Sequence, residues 1–86
     1  PLTGIGNRRM LELRLDEEIL RARRYQRPLT AVYFDLDHFK QVNDDHGHDV
    51  GDTTLRLVAQ SLASQVRQSD HVARLGGEEF VVLLTE

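Results

Sequence analysis

Apolar positions along this chain change their spacing several times, and each spacing predicts an element. Leu11, Leu15, Ile19 and Ala22 recur three or four residues apart, the period of a helix with one buried face. Asn7 stands where a helix N-cap belongs, and Pro28 sets the point by which the helix must stop. Residues 29–36 follow as a near-continuous apolar run centred on Ala31, Val32, Tyr33 and Phe34, the pattern of a strand buried on both faces. It ends at Asp35-Leu36-Asp37. A short helical turn is expected to hold Phe39, Lys40 and Val42. Gly47 and Gly51 are expected to bracket a loop, and a second long helix to run from there to about Arg67 on a stripe of Leu55, Val58, Leu62 and Val66.

The last two apolar runs, 71–75 and 80–84, flank Gly76-Gly77-Glu78-Glu79. This reads as a β-hairpin, because Gly-Gly supplies the positive-φ positions of a tight two-residue turn. The order helix, strand, helix, strand, strand predicts an α/β arrangement with helices packed on a sheet. If the first strand lies beside the hairpin, Asp35 at its C-terminal end comes near Glu78 and Glu79.

Composition narrows the class. With 86 residues the chain is at most one small domain with a modest core. Hydrophobic residues at 40% and charged residues at 29% suit a soluble globular protein. Cysteine is absent, which removes disulfides and thiolate metal sites and fits a reducing, cytoplasmic setting. No apolar run is long enough to span a bilayer, and no signal-peptide pattern opens the chain. Pro1 in place of an initiator Met leads us to expect a piece of something longer. A net charge of −3 argues against a general nucleic-acid binder. Charge is uneven: Arg21, Arg23, Arg24 and Arg27 precede Pro28, whereas Asp35, Asp37, Asp44, Asp45, Asp49 and Asp52 gather in the middle. That acidic grouping suggests metal binding, against the plainer reading of a solvated loop.

Carboxylates from a strand end and a hairpin tip suit Mg²⁺ or Mn²⁺, hard ions that take oxygen ligands and are often completed by substrate phosphates. Paired ions of this kind serve phosphoryl and nucleotidyl transfer. Lys40 could then meet phosphate oxygens. Asn43 and Asp52 flank the glycine segment, and an Asp accepting from the imino and amino edge of guanine discriminates well. Taken singly, each is more often a cap or turn residue. Gly4-Ile5-Gly6 lacks the preceding strand and third glycine of a dinucleotide fingerprint. His46 and His48 without a third partner are a weak zinc signal.

Four ordered segments converge on one family. They are Pro1-Leu2-Thr3-Gly4-Ile5-Gly6-Asn7-Arg8-Arg9, then Phe34-Asp35-Leu36-Asp37-His38-Phe39-Lys40-Gln41-Val42-Asn43-Asp44, then Gly47-His48-Asp49-Val50-Gly51-Asp52, and Arg74-Leu75-Gly76-Gly77-Glu78-Glu79-Phe80. Together they resemble the GGDEF domain of bacterial diguanylate cyclases, here in its GGEEF form. The resemblance implies an α+β fold with helices on a mostly antiparallel sheet, a ferredoxin-like, nucleotide-cyclase-like palm. It implies that residues 1–86 are the N-terminal portion of that domain, through the hairpin, so that the palm is incomplete and this segment alone is inactive.

The implied reaction condenses two GTP into cyclic di-GMP with release of two pyrophosphates. Carried over residue by residue, Asp35, Glu78, Glu79 and the Leu36 carbonyl would ligate Mg²⁺ or Mn²⁺, and Glu78 would also be the base for the ribose hydroxyl. Lys40 would touch the triphosphate and assist catalysis. Asn43 and Asp52 would read guanine, with Phe39, His48 and Leu55 completing the substrate-binding set. Arg67 and Asp70, five residues before the hairpin glycines, resemble an inhibitory product site, for which the plainer alternative is a helix-terminal Arg and a turn Asp. The implied partners are a second copy of the domain for catalysis, cyclic di-GMP as inhibitor and a regulatory sensor domain elsewhere in the parent protein, with no nucleic acid. Any membrane anchor would belong to other domains. Two other readings stay open: a module that binds GTP or cyclic di-GMP without turnover, and a structural or dimerisation piece using the Arg-rich first helix.

Overall fold

The computed structural model describes residues 5–85, so Pro1 to Gly4 of the first motif, and Glu86, lie outside the described residues. Six elements follow in order: α1 (Arg8–Tyr25), β1 (Leu29–Asp35), α2 (Phe39–His46), α3 (His48–Gln65), β2 (His71–Gly76) and β3 (Glu79–Thr85). The strands form an antiparallel sheet in the order β1-β3-β2. The fold is therefore α+β with an antiparallel sheet, as the family resemblance implied, whereas the order of elements alone predicted only helices packed on a sheet.

The start of α1 follows from Asn7, whose Oδ1 accepts the Met10 backbone N–H at 2.9 Å. The helix ends before Pro28 with Gln26 left-handed at φ 53°, its N–H donating to the Ala22 carbonyl. Leu11, Leu15, Ile19 and Ala22 are part-buried, and Glu18, on the same stripe, is buried with 4% exposure. Its carboxylate meets His71 Nε2 at 2.8 Å and Arg21 Nη1 at 3.1 Å, which satisfies a charge that would otherwise destabilise the interface.

Alternation along the strands sends Phe80 and Val82 to one face of the sheet and Val81 and Leu83 to the other. Phe80 packs with Phe39, Leu55 and Ala59 of α2 and α3, while His71, opposite Leu83, meets α1. Helices thus cover both faces of β3, and residues 80–83 are all buried. Gly6 adds a backbone bridge beside Ala73, accepting the Arg74 N–H at 2.9 Å. Its place in the discounted Gly-x-Gly pattern has this structural cause.

Two expectations need correction. The strand β1 is not buried on both faces. It pairs only with β3 among the described residues, and Tyr33 and Phe34 are 54% and 39% exposed. Its apolar run has the composition of a central strand but an open edge. Gly51 does not close a loop: it is buried inside α3, which begins at His48, and Gly47 alone (φ 86°) separates α2 from α3. That helix ends at Gln65, within two residues of the expected end near Arg67, because Val66 is already extended.

The hairpin forms one residue later than Gly-Gly pairing suggests. Gly76 is still in β2 opposite Glu79, after an irregularity between Arg74 and Gly76, and the turn consists of Gly77 and Glu78. Gly77 at φ 52° carries the left-handed position.

Candidate active site

Register alone brings the acidic groups together. Antiparallel pairing sets Asp35 opposite Glu79, and the Leu36 N–H donates to the Glu78 carbonyl at 3.2 Å. The end of β1 and the hairpin turn are therefore stitched into one rigid edge carrying Asp35, Glu78 and Glu79. Arg74 braces the turn from β2, its Nε and Nη2 donating to the Gly77 carbonyl at 3.0 and 2.8 Å. The Tyr33 hydroxyl donates to Glu79 Oε2. That bond, then partial desolvation, then the negative charges of Glu79, Asp35 and Glu78, push the phenol up to about 12. All three expected metal-binding carboxylates thus act on one phenol. Neither Tyr33 nor Arg74 was singled out from the sequence, although Tyr33 sits two residues before Asp35 and so on the same strand face.

The donor set is all oxygen, as Mg²⁺ or Mn²⁺ requires. Among the described residues no three His, Asp or Glu side chains are close enough to hold an ion by themselves. A complete shell would draw on the Leu36 carbonyl and on nucleotide phosphates, the usual arrangement for Mg²⁺ at phosphoryl-transfer sites. The residues fit such an ion on those terms.

The expected guanine-reading residues lie on the two helices that follow. Asn43 is on α2 and Asp52 on α3, both half-buried. Asn43 Oδ1 is buried without a hydrogen-bond partner. A Cβ built on Gly51 would lie 1.7 Å from that oxygen, so glycine is what lets the amide occupy its place. Lys40 and His48 are exposed, free in space to meet a ligand. Phe39 and Leu55, expected among the substrate-binding residues, have 8% and 2% exposure and are core side chains packed on Phe80.

Arg67 and Asp70 occupy the far end of the sheet, where Leu29 pairs with Thr85. Asp70 is structural first. Its side chain is 2% exposed, Oδ2 accepts the Arg67 N–H at 2.9 Å and Oδ1 accepts the Thr85 N–H at 2.9 Å. The Arg67 guanidinium lies 3.6 Å from Asp70 and donates to the Thr85 carbonyl, and it remains 58% exposed. A cavity of about 300 Å³ adjoins this region, lined by Glu18, Arg21, Tyr25, Leu29 and Thr85, well away from the paired carboxylates.

Burial alone would raise the Asp70 pKa. The Thr85 and Arg67 N–H groups, the Arg67 charge and the Thr85 hydroxyl outweigh it and leave the carboxyl below its ordinary 3.8. A depressed folded-state pKa contributes stability that is present above the unfolded value and lost as pH falls through the folded one. Asp70→Ala is accordingly expected to destabilise the protein at pH 7 by roughly 2–3 kcal/mol, since two backbone donors lose their acceptor. The gap to the wild type should narrow below about pH 4, as read by urea unfolding at both pH values. An equal gap at pH 7 and pH 3 would contradict the assignment.

A profile described as "Diguanylate cyclase, GGDEF domain" matches residues 1–86, the whole chain. The chain belongs to the GGDEF family. Diguanylate cyclase DgcP of Pseudomonas aeruginosa is 50% identical over 84 residues, which cover 98% of this chain and 12% of that protein. The GGDEF domain of DgcB from Caulobacter crescentus, solved in complex with c-di-GMP, superposes with a TM-score of 0.94 at 33% identity, covering 99% of this chain and 48% of that one. The structure described as the active GGEEF domain of a Vibrio cholerae diguanylate cyclase superposes at 0.88 with 38% identity, over 93% of this chain and 51% of that one. The chain thus spans about half the length of these solved GGDEF chains. Among the described residues no helix is long and apolar enough to cross a membrane.

Proposed function

We propose that this GGDEF segment supplies the metal- and guanine-binding part of a diguanylate cyclase, which joins two GTP into cyclic di-GMP and releases two pyrophosphates. The observation that carries this reading is the register of Asp35 against Glu79 beside the Glu78 turn, in a chain of this family. Asp35, Glu79, Glu78 and the Leu36 carbonyl would hold a divalent cation. When bound, the cation neutralises charge developing on the phosphates. Glu78 takes the proton of the attacking ribose hydroxyl as its oxygen bonds to the α-phosphorus and the bond to pyrophosphate breaks. Lys40, exposed on the first turn of α2, meets the triphosphate. Asn43 and Asp52 read guanine, from adjacent positions on α2 and α3 where the Asn43 amide packs against Gly51.

Two identical linkages in the product call for two such sites facing each other across a two-fold axis, so we take a homodimer as the working unit. Product inhibition would run through the exposed Arg67 guanidinium, with Asp70 holding the turn that presents it. The exposed apolar residues of β1 support the reading that these residues are part of a larger domain. A radius of gyration of 14.3 Å, against about 12 Å for a compact domain of this length, points the same way.

The test is product analysis: the protein carrying this segment, given GTP and Mg²⁺, is expected to form cyclic di-GMP and to form none with excess chelator. GTP binding without turnover would instead support a regulatory module. A second measurement addresses guanine recognition. Gly51→Ala places a methyl group where the Asn43 amide oxygen lies, and the flexible amide is the part that yields. The KM for GTP is expected to rise about tenfold or more with little change in melting temperature. An unchanged KM would remove Asn43 from the substrate site.

A further inference from the structure

We propose that Tyr33 is a positioning residue for the metal site, holding the Glu79 carboxylate by one oxygen so that the other faces the cation. This rests on the reading of Asp35, Glu78 and Glu79 as metal ligands. The geometry is set by the sheet. Tyr33 lies opposite Val81 and Asp35 opposite Glu79, so Tyr33, Asp35 and Glu79 share one face of the β1–β3 ladder. Tyr33 and Glu79 are diagonal neighbours, a separation that an aromatic and a long acidic side chain can span. The Tyr33 hydroxyl closes it, donating to Glu79 Oε2.

A packing role accounts poorly for this tyrosine. The residue is more than half exposed and stands outside the core built around Phe80 and Leu83. What it contributes is a neutral donor in a setting of three like charges. Without it, Glu79 is free to swing away from Asp35 and Glu78 under their mutual repulsion. With it, Oε2 is fixed and Oε1 remains available as a single-oxygen ligand. Hydrogen bonding of a ligating carboxylate from outside the coordination sphere is a general means of orienting it. Because no three acidic side chains among the described residues are grouped closely enough to hold an ion by themselves, such orientation has more to contribute here than in a closed cage.

The experiment uses the protein that carries this chain, with Tyr33→Phe, Glu79→Gln and Glu78→Gln as variants and Mn²⁺ as the probe. Mn²⁺ binding is followed by electron paramagnetic resonance with a non-hydrolysable GTP analogue present. Tyr33→Phe is expected to raise the Mn²⁺ dissociation constant about 10-fold or more while leaving the melting temperature unchanged. In protein labelled at tyrosine Cζ, the NMR signal missing from Tyr33→Phe is that of Tyr33, and Glu79→Gln is expected to shift it. Unchanged or tighter Mn²⁺ binding in Tyr33→Phe, or a Tyr33 signal indifferent to Glu79→Gln, overturns the proposal. If Glu78→Gln weakens Mn²⁺ binding and Tyr33→Phe does not, only this inference falls. If neither does, the metal-site reading falls with it.

Discussion

Glu78→Gln is expected to abolish cyclic di-GMP formation, lowering kcat by at least about 10³-fold. The substitution is nearly isosteric, and its position is held by backbone contacts that do not involve the side chain. Glu78 is in the turn, its carbonyl accepts the Leu36 N–H, and Arg74 grips the neighbouring Gly77 carbonyl. Fold and turn should therefore survive, and circular dichroism and melting temperature should match the wild type. What is lost is a negative charge on the cation and an acceptor for the ribose proton. Removing a single preorganised electrostatic group from an active site typically lowers the rate 10²- to 10³-fold, and this residue is assigned two roles. Product analysis by chromatography reads the outcome. Retention of even a tenth of the wild-type rate would mean that Glu78 is neither ligand nor base, and the mechanism would need another proton acceptor.

The second large effect is on stability. Phe80→Ala is expected to destabilise the fold by about 3–5 kcal/mol, the range for deleting a buried aromatic ring. Phe80 is the last residue of the signature segment, yet it has 0% exposure and packs with Phe39, Leu55 and Ala59. It joins the central strand to the α2–α3 layer that carries Lys40, Asn43 and Asp52. A change of this size is a large fraction of a small domain's total stability, which is about 5–15 kcal/mol. Chemical denaturation would show the midpoint fall, and any loss of activity should track the unfolded fraction. A variant fully folded but inactive would assign Phe80 a chemical role that its burial contradicts.

These two neighbours in the signature thus serve different ends. Glu78 is on the turn and faces the chemistry, whereas Phe80 is in the strand and anchors the helices beneath it. Spacing within the motif follows from this: the acidic pair must begin at the turn, and the first residue after it must return to the core.

Much of the architecture was legible in the order of residues because it depends on short-range rules. The N-cap at Asn7, the apolar stripe of α1 and the hairpin near the glycines each need only a few neighbouring residues to specify them. The proximity of Asp35 to Glu79 was also within reach, since a strand ending in Asp and the returning hairpin strand starting with Glu pair naturally once antiparallel. The motifs likewise carried the family membership.

Other features depend on which surfaces meet, and no local pattern encodes that. The apolar run of β1 reads the same whether one edge or both are covered, so its exposure could come only from the sheet order. Gly51 reads as a loop residue because glycine usually disfavours helix interiors. Its actual reason is the Asn43 side chain, which fills the space a Cβ would need. Glu18 lies on an apolar stripe, and its burial is met by Arg21 one turn along the same helix and by His71, which only the packing of β2 against α1 brings near. Tyr33 falls within an apolar run, and its bond to Glu79 exists because two strands distant in sequence are laid side by side. Local periodicity and turn chemistry, acting through near neighbours, were enough to specify the elements and the motif that names the family. Pairing between remote segments had to settle which polar groups are buried, partnered or left open, because their free energies depend on surroundings that do not exist until the chain has folded.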